Sequence, residues 1–249
     1  EHKNFKVSII LPNYNSSKYL ISTISSIKNQ TYNNWELIIV DDCSDNKTKK
    51  IIKKYKKSKK IKIIWLKKNR GAAYCRNLAI KKSRSKYLAF IDSDDLWKKN
   101  KLNIQIKYMI KNNYDFTYTY YEAFYPKYTR KIIVPSKFNF KSFIKDTSIA
   151  TSTMVIKRNI AKGIKFTNTR ICEDYYFKCR VLKRIGSGFC IKKYLTKYRI
   201  RNNSLQSNKL NNFFWMWKIN KNFNKLSFFA NIKSLFFISI SSLKKYGFK

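Results

Sequence analysis

Three tight clusters of acidic residues stand out in a chain that is otherwise strongly basic. They contain eight of the 13 Asp and Glu residues, in a chain that carries 55 Lys and Arg. Carboxylates that crowd together resist being ionised together, so they destabilise a fold unless a cation, a proton or a polar ligand relieves the repulsion. The clusters are therefore the first candidates for chemistry, and they lie at Asp41-Asp42-Cys43-Ser44-Asp45, Asp92-Ser93-Asp94-Asp95 and Glu173-Asp174.

The second cluster has the composition of a site for a divalent cation. Because side chains alternate along an extended segment, we expect Asp92 and Asp94 on one side. Carboxylate oxygens suit Mg²⁺ or Mn²⁺, and such ions take their remaining ligands from water and substrate phosphates. A nucleoside diphosphate is therefore the expected partner. The alternative is a helix N-cap, with Leu96-Trp97 beginning the helix.

The other clusters suggest different roles. Asp41 or Asp42 could accept a hydrogen bond from a base or ribose, and Arg76 could reach the phosphates; the alternative for Arg76 is a solvent-facing helix arginine. No acid occurs in the 75 residues after Glu173-Asp174. A carboxylate in such basic surroundings stays ionised, as a general base requires, and the alternative is a helix-terminal ion pair with Arg170 or Arg180.

The first half of the sequence alternates strand and helix patterns, which predicts a parallel sheet with right-handed crossovers. In such a sheet, ligands bind at the carboxyl ends of the strands, and the acidic clusters near 42 and 93 follow two of them. The pattern predicts strands at 6–11, 35–40, 61–66 and 87–91, with helices at 17–29, 45–57 and 72–82. Farther along it predicts strands at 116–121, 131–134 and 151–156, a helix at 173–183, and two basic, aromatic-rich helices within 211–246.

The formal net charge of +42 calls for an anionic partner, unless a general compositional bias explains it. With 18 Tyr and 18 Phe, a single-stranded nucleic-acid-binding protein is the competing function. The acidic clusters argue against it, because they repel phosphates unless a metal is bound. Nucleic acid is therefore not an expected partner.

Compartment and membrane signals are weak. Five cysteines without paired spacing favour a reducing compartment and no zinc site, and no signal-peptide core is expected at the N-terminus. The longest uncharged apolar run near the C-terminus, 234–243, is about half the length that crosses a bilayer. We expect a cytoplasmic protein that can lie on a membrane.

Several segments, taken in order, resemble family 2 glycosyltransferases with the GT-A fold. The final segments are similar to the teichuronic-acid and O-antigen type glucosyltransferases of that family. The segments that carry the resemblance are VSIILPNYN at 7–15, SIKNQTYNNWELIIVDDCSD at 26–45, NRGAAYCRNLAI at 69–80, YLAFIDSDDLW at 87–97, TSTMVI at 151–156, the ED pair at 173–174 and YRIRNNSLQSNKL at 198–210.

The resemblance implies a nucleotide-sugar site and a Mn²⁺ or Mg²⁺ cofactor. It implies that Arg76 faces the diphosphate and that Asp92 touches the ribose. Either Asp94 or Asp95 would be the metal ligand. The positions implied to cradle the base and ribose are Pro12, Tyr14 and Asp42.

The resemblance also implies that Asp174 is the base of an inverting transfer. It would deprotonate an acceptor hydroxyl, which attacks the sugar as the nucleoside diphosphate leaves. Many relatives carry Gln before this aspartate, whereas this chain has Glu173, so acceptor contacts transfer less directly. An inactive family member acting as a partner subunit is a third possibility, and the presence of Asp94, Asp95 and Asp174 argues against it.

The expected organisation is one GT-A domain with a C-terminal addition. Residues 1–112 would bind the nucleotide sugar, 113–205 the acceptor, and 206–249 would form basic aromatic helices that bind an anionic membrane surface or only cap the core. The expected donor is a UDP-hexose. The expected acceptor is a lipid-diphosphate-linked or polysaccharide glycan of the cell surface, reached at the inner face of the cell membrane.

Overall fold

A mixed sheet runs through the part of the chain that the computed structural model describes, residues 5–167, 169, 171–201 and 209–246. Within these ranges its strands follow the order β3-β2-β1-β4-β9-β6-β10-β5, with β7 beside β6 and β8 beside β10. The strands are β1 Val7–Asn13, β2 Trp35–Asp41, β3 Ile61–Trp65, β4 Tyr87–Phe90, β5 Leu96–Trp97, β6 Phe116–Phe124, β7 Thr129–Ile132, β8 Lys137–Phe138, β9 Val155–Lys157 and β10 Gly188–Arg199.

Helices cover both faces of this sheet. The helices are α1 Leu20–Lys28, α2 Asn46–Lys53, α3 Ala72–Lys82, α4 Lys101–Lys111, α5 Phe140–Phe143, α6 Arg158–Ala161, α7 Glu173–Ile185, α8 Lys209–Asn222 and α9 Phe228–Tyr246, with a 3₁₀ turn at Thr151–Thr153.

The parallel part of the sheet forms because its strands are apolar on both faces. β1 pairs in parallel with β2 and β4, and every residue of β1 is buried. Ile10 belongs to the core layer that contains residues of α3 and α7, whereas Ile9 belongs to the layer that contains residues of α1 and α4. The alternating strands and helices predicted for the first half of the chain are confirmed.

Two predictions about local structure are wrong. Leu96-Trp97 does not begin a helix: it forms β5, antiparallel to Thr196 and Lys197 of β10, and α4 begins only at Lys101. The indole N–H of Trp97 donates to the Ser152 carbonyl (2.8 Å), so tertiary contacts hold this dipeptide extended. The predicted strand at 151–156 begins instead with the 3₁₀ turn, where the Thr153 hydroxyl donates back to the Ala150 carbonyl (2.6 Å).

The twelve-residue strand β10 was not predicted. It pairs in parallel with β6 and carries register shifts between Ile191 and Thr196. Such irregularities break the two-residue alternation that reveals a strand in a sequence. The division at 112 and 205 stays a prediction; strands on both sides of 112 belong to one sheet, and 205 lies outside the described residues.

The C-terminal helices α8 and α9 are confirmed as two helices near the predicted range. They pack beside the main core through Ile219, which is fully buried. None of the helices in the described ranges combines the length and the apolar composition needed to cross a bilayer.

Candidate active site

The segments that follow β1, β2, β3 and β4 meet at one edge of the sheet, as the sequence predicted. Asn13 at the end of β1 is in register with Asp41 at the end of β2, which is in register with Trp65 of β3. The amide of Ile91, just after β4, donates to the Ile10 carbonyl (3.1 Å). The polar motifs therefore share one side of the molecule.

Asp42 fixes the loop that leads into α3. Its two carboxylate oxygens accept hydrogen bonds from the backbone N–H groups of Arg70 (2.7 Å) and Gly71 (2.8 Å). Gly71 has φ of +85°, in the region that favours glycine. Asp41 is fully buried and accepts from Asn13 Nδ2 (2.7 Å). Both carboxylates thus have backbone or side-chain partners within the chain, and the predicted contact of Asp42 with a base or ribose stays a prediction.

A cleft of about 410 Å³ lies beside the Asp42-bound loop. Arg70 stacks over the ring of Tyr74 (4.0 Å to the centroid), which gives the cleft a cationic, aromatic wall. Of the predicted base-binding residues, Pro12 is buried within β1, whereas Tyr14 is 53% exposed just after it. The cleft is lined by Lys68, Asn69, Arg70, Ala73, Tyr74, Asn77 and Phe166.

Arg76 connects the second and third acidic clusters. Its guanidinium lies 2.7 Å from Asp92 Oδ1 and 2.8 Å from Glu173 Oε1. Arg76 is only 5% exposed, so the alternative of a solvent-facing helix arginine is wrong. Although burial alone lowers the pKa of a guanidinium, the attraction of Asp92 and Glu173 raises the pKa of Arg76. Its Nε–H is buried and has no hydrogen-bond partner among the described residues.

The segment 92–95 forms a turn rather than an extended strand, so the predicted alternation of Asp92 and Asp94 is wrong. The amide of Asp95 donates to the Asp92 carbonyl (3.1 Å), and the side chains of Asp94 and Asp95 have different partners. Asp94 Oδ2 lies 2.8 Å from Arg201 Nε, whereas Asp95 accepts from the Ser152 hydroxyl (2.5 Å) and the Arg199 amide (2.8 Å). No helix follows directly, which also removes the N-cap alternative.

Crowding and burial oppose ionisation in this turn. Burial raises the pKa of Asp94, and the charge of Asp92 adds to this, whereas Arg201 acts in the opposite direction. Burial, together with Asp94 and Asp92, raises the pKa of Asp95 well above its usual range. A cation or a proton would relieve this repulsion, and the predicted metal site stays a prediction.

Asp174 at the start of α7 is held ionised. Its Oδ2 accepts from Lys178 Nζ (2.7 Å) and from the Thr151 hydroxyl (2.9 Å). Burial alone would raise the pKa of this carboxyl, but the attraction and hydrogen bond of Lys178 outweigh burial and lower it to about 2. Lys178 and Arg76 thus replace the predicted ion-pair partners: Arg180 is exposed, and Arg170 lies outside the described residues.

Sequence reasoning missed several residues that hold these carboxylates. Lys178 lies one helical turn after Asp174, and that i,i+4 spacing was a readable signal. Thr151 and Ser152 belong to a run of three hydroxyl residues, and such a run gave no sign of its partners. Arg199 ends β10 and Arg201 lies two residues beyond it, so only knowledge of that strand could have placed them.

The described residues fit a metal that draws most of its ligands from a substrate. They contain no group of three or more His, Cys, Asp or Glu side chains placed to hold a metal ion. Asp95 has both oxygens engaged within the chain, whereas Asp94 already faces one cation, the guanidinium of Arg201. One carboxylate plus phosphate oxygens and water is a donor set that Mg²⁺ or Mn²⁺ accepts.

Comparison with known proteins places this geometry in a family. The family model described as Glycosyl transferase family 2 matches residues 8–191, which include all the predicted site residues. A glycosyltransferase of Bacillus subtilis (strain 168) named for teichuronic acid biosynthesis is 34% identical over 226 residues, covering 89% of this chain and 90% of the relative. The Escherichia coli protein WfgD, named as a UDP-Glc:alpha-D-GlcNAc-diphosphoundecaprenol beta-1,3-glucosyltransferase, is 34% identical over 253 residues, covering 98% and 96%.

Solved structures show the same fold. The crystal structure of residues 1–349 of TarS from S. aureus with UDP-GlcNAc has a TM-score of 0.75 and 20% identity, covering 96% of this chain and 73% of that chain. The mannosyltransferase PcManGT from Pyrobaculum calidifontis, in complex with GDP-Man and Mn²⁺, has a TM-score of 0.71 and 12% identity, covering 98% and 76%. The predicted GT-A fold is confirmed.

These matches decide between the predicted classes of function. The predicted transferase is confirmed, and the alternative of a nucleic-acid-binding protein is not supported. A family model that covers most of the sequence, and relatives 34% identical over nearly their whole length, show that this chain belongs to glycosyl transferase family 2.

Proposed function

We propose that this enzyme transfers a hexose from a UDP-sugar, with inversion, to a lipid-diphosphate-linked glycan of the cell surface. The observation that carries the proposal is the position of Arg76. It joins Asp92, in the turn after β4, to Glu173, the neighbour of Asp174. A donor held at the turn and a base at the start of α7 would therefore act on the same atoms. Names of relatives that act on undecaprenol-diphosphate-linked sugars support the acceptor class.

The donor side rests on the loops at the sheet edge. The cleft beside Arg70 and Tyr74 offers cationic and aromatic groups for a nucleotide, and the exposed ring of Tyr14 is available for stacking on a base. Asp42 would act by holding the loop at 70–71 in place as well as by any contact with the ribose. The unpartnered Nε–H of Arg76 is a donor suited to an anionic oxygen.

Asp94 is the proposed metal ligand, in preference to Asp95. A bound Mn²⁺ or Mg²⁺ would neutralise negative charge that grows on the leaving diphosphate. The residues of the chain then have separate tasks. Asp95, tied to Ser152 and to the Arg199 backbone, holds the turn so that Asp94 keeps its position.

Asp174 is the proposed base. The acceptor oxygen would form a bond to the anomeric carbon while the bond to the diphosphate breaks, and the hydroxyl proton would pass to the carboxylate. Thr151 and Lys178 orient that carboxylate and keep it ionised. Buried, fixed groups of this kind stabilise charge in a transition state without having to reorganise.

Asp174→Asn is the direct test, with Glu173→Gln as a matched control. We expect Asp174→Asn to lower kcat by at least about a thousandfold, because the proton acceptor is lost, while UDP affinity changes little. Glu173→Gln keeps a hydrogen-bond acceptor for Arg76, so we expect kcat to stay within about tenfold. Turnover of a UDP-sugar and calorimetric binding of UDP give the two readouts. Retained turnover in Asp174→Asn would place the base elsewhere.

Metal-linked nucleotide binding tests the donor site separately. We expect UDP to raise the melting temperature in the presence of Mn²⁺ or Mg²⁺ and to raise it much less after chelation with EDTA. Asp94→Asn should remove most of the metal-dependent part. An equal shift with and without the ion would contradict the assignment of Asp94.

The proposed place of action is the inner face of the cell membrane, where an anionic lipid surface is the partner. The lipid part of such an acceptor is confined to the bilayer, so the enzyme must come to that surface. The excess of Lys and Arg supports attraction to anionic headgroups.

A further inference from the structure

The C-terminal helices pack with polar side chains inward. The described segment 209–246 buries six residues, and four of these are Asn or Ser rather than apolar residues. A helix that covers a protein core normally does the reverse. The six buried residues are Ile219, Asn220, Asn224, Asn231, Ser234 and Ile238.

A hydrogen-bond network centred on Asn220 links the side chains of this polar interior. Asn220 accepts from the Tyr175 hydroxyl (2.7 Å) and from Asn224 Nδ2 (3.0 Å), and it donates to Asn231 (3.0 Å) and Ser234 (3.1 Å). The amide of Asn220 thus uses both its acceptor and donor sides. Because Asn231 and Ser234 of α9 are held by Asn220, the rotation of α9 about its axis is fixed, and so is the face that it turns to solvent.

The outward face of α9 is apolar. Phe228, Ile232 and Phe236 follow one another at i, i+4 and i+8 and lie on one side of the helix, and Phe229 beside them is 81% exposed. Asn231, Ser234 and Ile238 occupy the opposite side. We call Phe228, Phe229, Ile232 and Phe236 the α9 apolar face. Phe228 also meets Trp217 of α8 edge to face (5.6 Å between centroids), so the surface continues onto α8.

Exposed lysines lie on and between the two C-terminal helices, and acids are missing there. The segment 209–249 contains no Asp or Glu, and five of its lysines are exposed and form no ion pair with another described residue. One of them, Lys218, lies over the ring of Phe214 (4.3 Å). The five are Lys218, Lys221, Lys225, Lys233 and Lys244.

We propose that the α9 apolar face docks the enzyme on an anionic lipid bilayer, with its aromatic rings at the boundary between headgroups and acyl chains. This inference rests on the proposed function in one respect: a lipid-linked acceptor gives the enzyme a reason to reach the membrane. An apolar helix face with lysines beside it is the composition that binds such an interface. Tyr175, which holds Asn220, directly follows Asp174, so the docking helices attach beside the proposed base.

A bilayer fits this surface better than a second copy of the chain. Two copies that met through the α9 apolar face would bring two sets of unpaired lysines together, and like charges at short range oppose association. Anionic headgroups attract the same lysines, by about 1 kcal/mol for each one near the surface. The exposed apolar area could be covered by either partner, but the positive charge of the lysines favours an anionic bilayer over a second copy.

The test compares vesicle binding of the full chain with that of a triple variant, Phe229→Gln, Ile232→Gln and Phe236→Gln. We expect the parent protein to bind vesicles of phosphatidylcholine and phosphatidylglycerol, and to bind them less as salt rises from about 0.1 M to 0.5 M. The variant should lose at least about tenfold in partition coefficient, because most of the apolar contribution is gone. Gln favours helices, and all three sites are exposed, so folding should be kept.

A matched control replaces three exposed isoleucines elsewhere, Ile21→Gln, Ile110→Gln and Ile133→Gln. It should bind vesicles like the parent. Equal binding by the parent and the α9 variant, or equal binding to neutral and anionic vesicles, would overturn the proposal. The proposal would also be overturned if sedimentation showed the parent and the control as dimers and the α9 variant as a monomer, since a second copy would then cover the face.

Hydrolysis of a UDP-sugar in solution separates this proposal from the proposed function. The α9 variant should keep the parent rate, because its changes do not touch the site. Loss of vesicle binding with intact hydrolysis supports docking. Vesicle binding by a protein that hydrolyses no UDP-sugar would leave docking supported and the proposed function contradicted.

Discussion

Asp174 lies between two opposing influences, burial and a buried lysine. Burial favours the neutral acid, whereas Lys178, one helical turn away, favours the carboxylate. The effect of Lys178 outweighs that of burial, and the pKa of Asp174 is lowered to about 2. A carboxylate with so low a pKa is a weak base in water, so the proposed role of Asp174 as the base would depend on its position and on its being ionised at every physiological pH. An acid limb in the pH dependence of activity above about pH 4 would then belong to another group.

Lys178→Met should move that behaviour into the measurable range. Without the lysine, burial is opposed only by the charge of Arg76 and the hydrogen bond from Thr151, so the pKa of Asp174 rises and the acid limb of kcat/KM moves to higher pH. The profile between pH 4 and pH 8 is the measurement. Arg180→Met, which removes an exposed charge from the same helix, should leave the profile unchanged. An unshifted limb in Lys178→Met would mean that the lysine does not control Asp174.

The same pair makes a stability contribution with a defined pH window. Because folding lowers the pKa of Asp174, this contribution is full above about pH 4 and is lost as the pH falls towards about 2. Its size is about 2 kcal/mol at neutral pH. Urea midpoints of the parent should therefore fall between pH 4 and pH 2 more than those of Lys178→Met. Parallel curves for the two proteins would contradict this.

At the scale of elements, the sequence predicted those that follow simple periodicity and missed those set by distant contacts. The four parallel strands are visible in the sequence as apolar runs, and the positions of Asp42 and Asp92 at the sheet edge followed from them. β10 was not predicted because its register shifts hide the alternation of apolar and polar residues. The contacts of Arg199 and Arg201 could therefore not be predicted either. The turn at 92–95 escaped because its shape depends on Ser152, about sixty residues away.

Gly188 begins β10, and replacing it tests how tightly that strand packs. A Cβ there would lie 2.5 Å from Phe116 Cδ1 of β6, so Gly188→Ala forces the ring or the strand to move. We expect a loss of about 1 to 3 kcal/mol in the free energy of unfolding, measured by urea denaturation. Ser187→Ala, next to it, should change stability by less than about 0.5 kcal/mol. Equal stabilities would mean that Phe116 yields freely.

At the scale of the whole molecule, positive charge dominates. The chain carries +42 formal charges, and the described residues form only eight ion pairs that use its few acids. The remaining lysines repel one another in the folded state more than in the expanded chain. The fold therefore tolerates a large electrostatic strain, which a counterion atmosphere or an anionic surface relieves.

Salt should accordingly stabilise the protein. We expect the melting temperature to rise by several degrees between about 25 mM and 250 mM NaCl, since the Debye length shortens and repulsion is screened. KCl should give the same curve if screening is the cause. A melting temperature that falls with salt would show that the eight ion pairs outweigh the general repulsion.

The hydrogen bond between Tyr175 and Asn220 has a consequence for the fate of shortened chains. Loss of α8 and α9 would leave a buried hydroxyl without its partner beside Asp174, at a cost of about 1 to 3 kcal/mol before any lost packing is counted. A premature stop near residue 209 should therefore give a protein that cells degrade, not an active transferase that is released from its proposed site of action. Loss of the proposed docking helices would therefore also remove the stable fold around the proposed base.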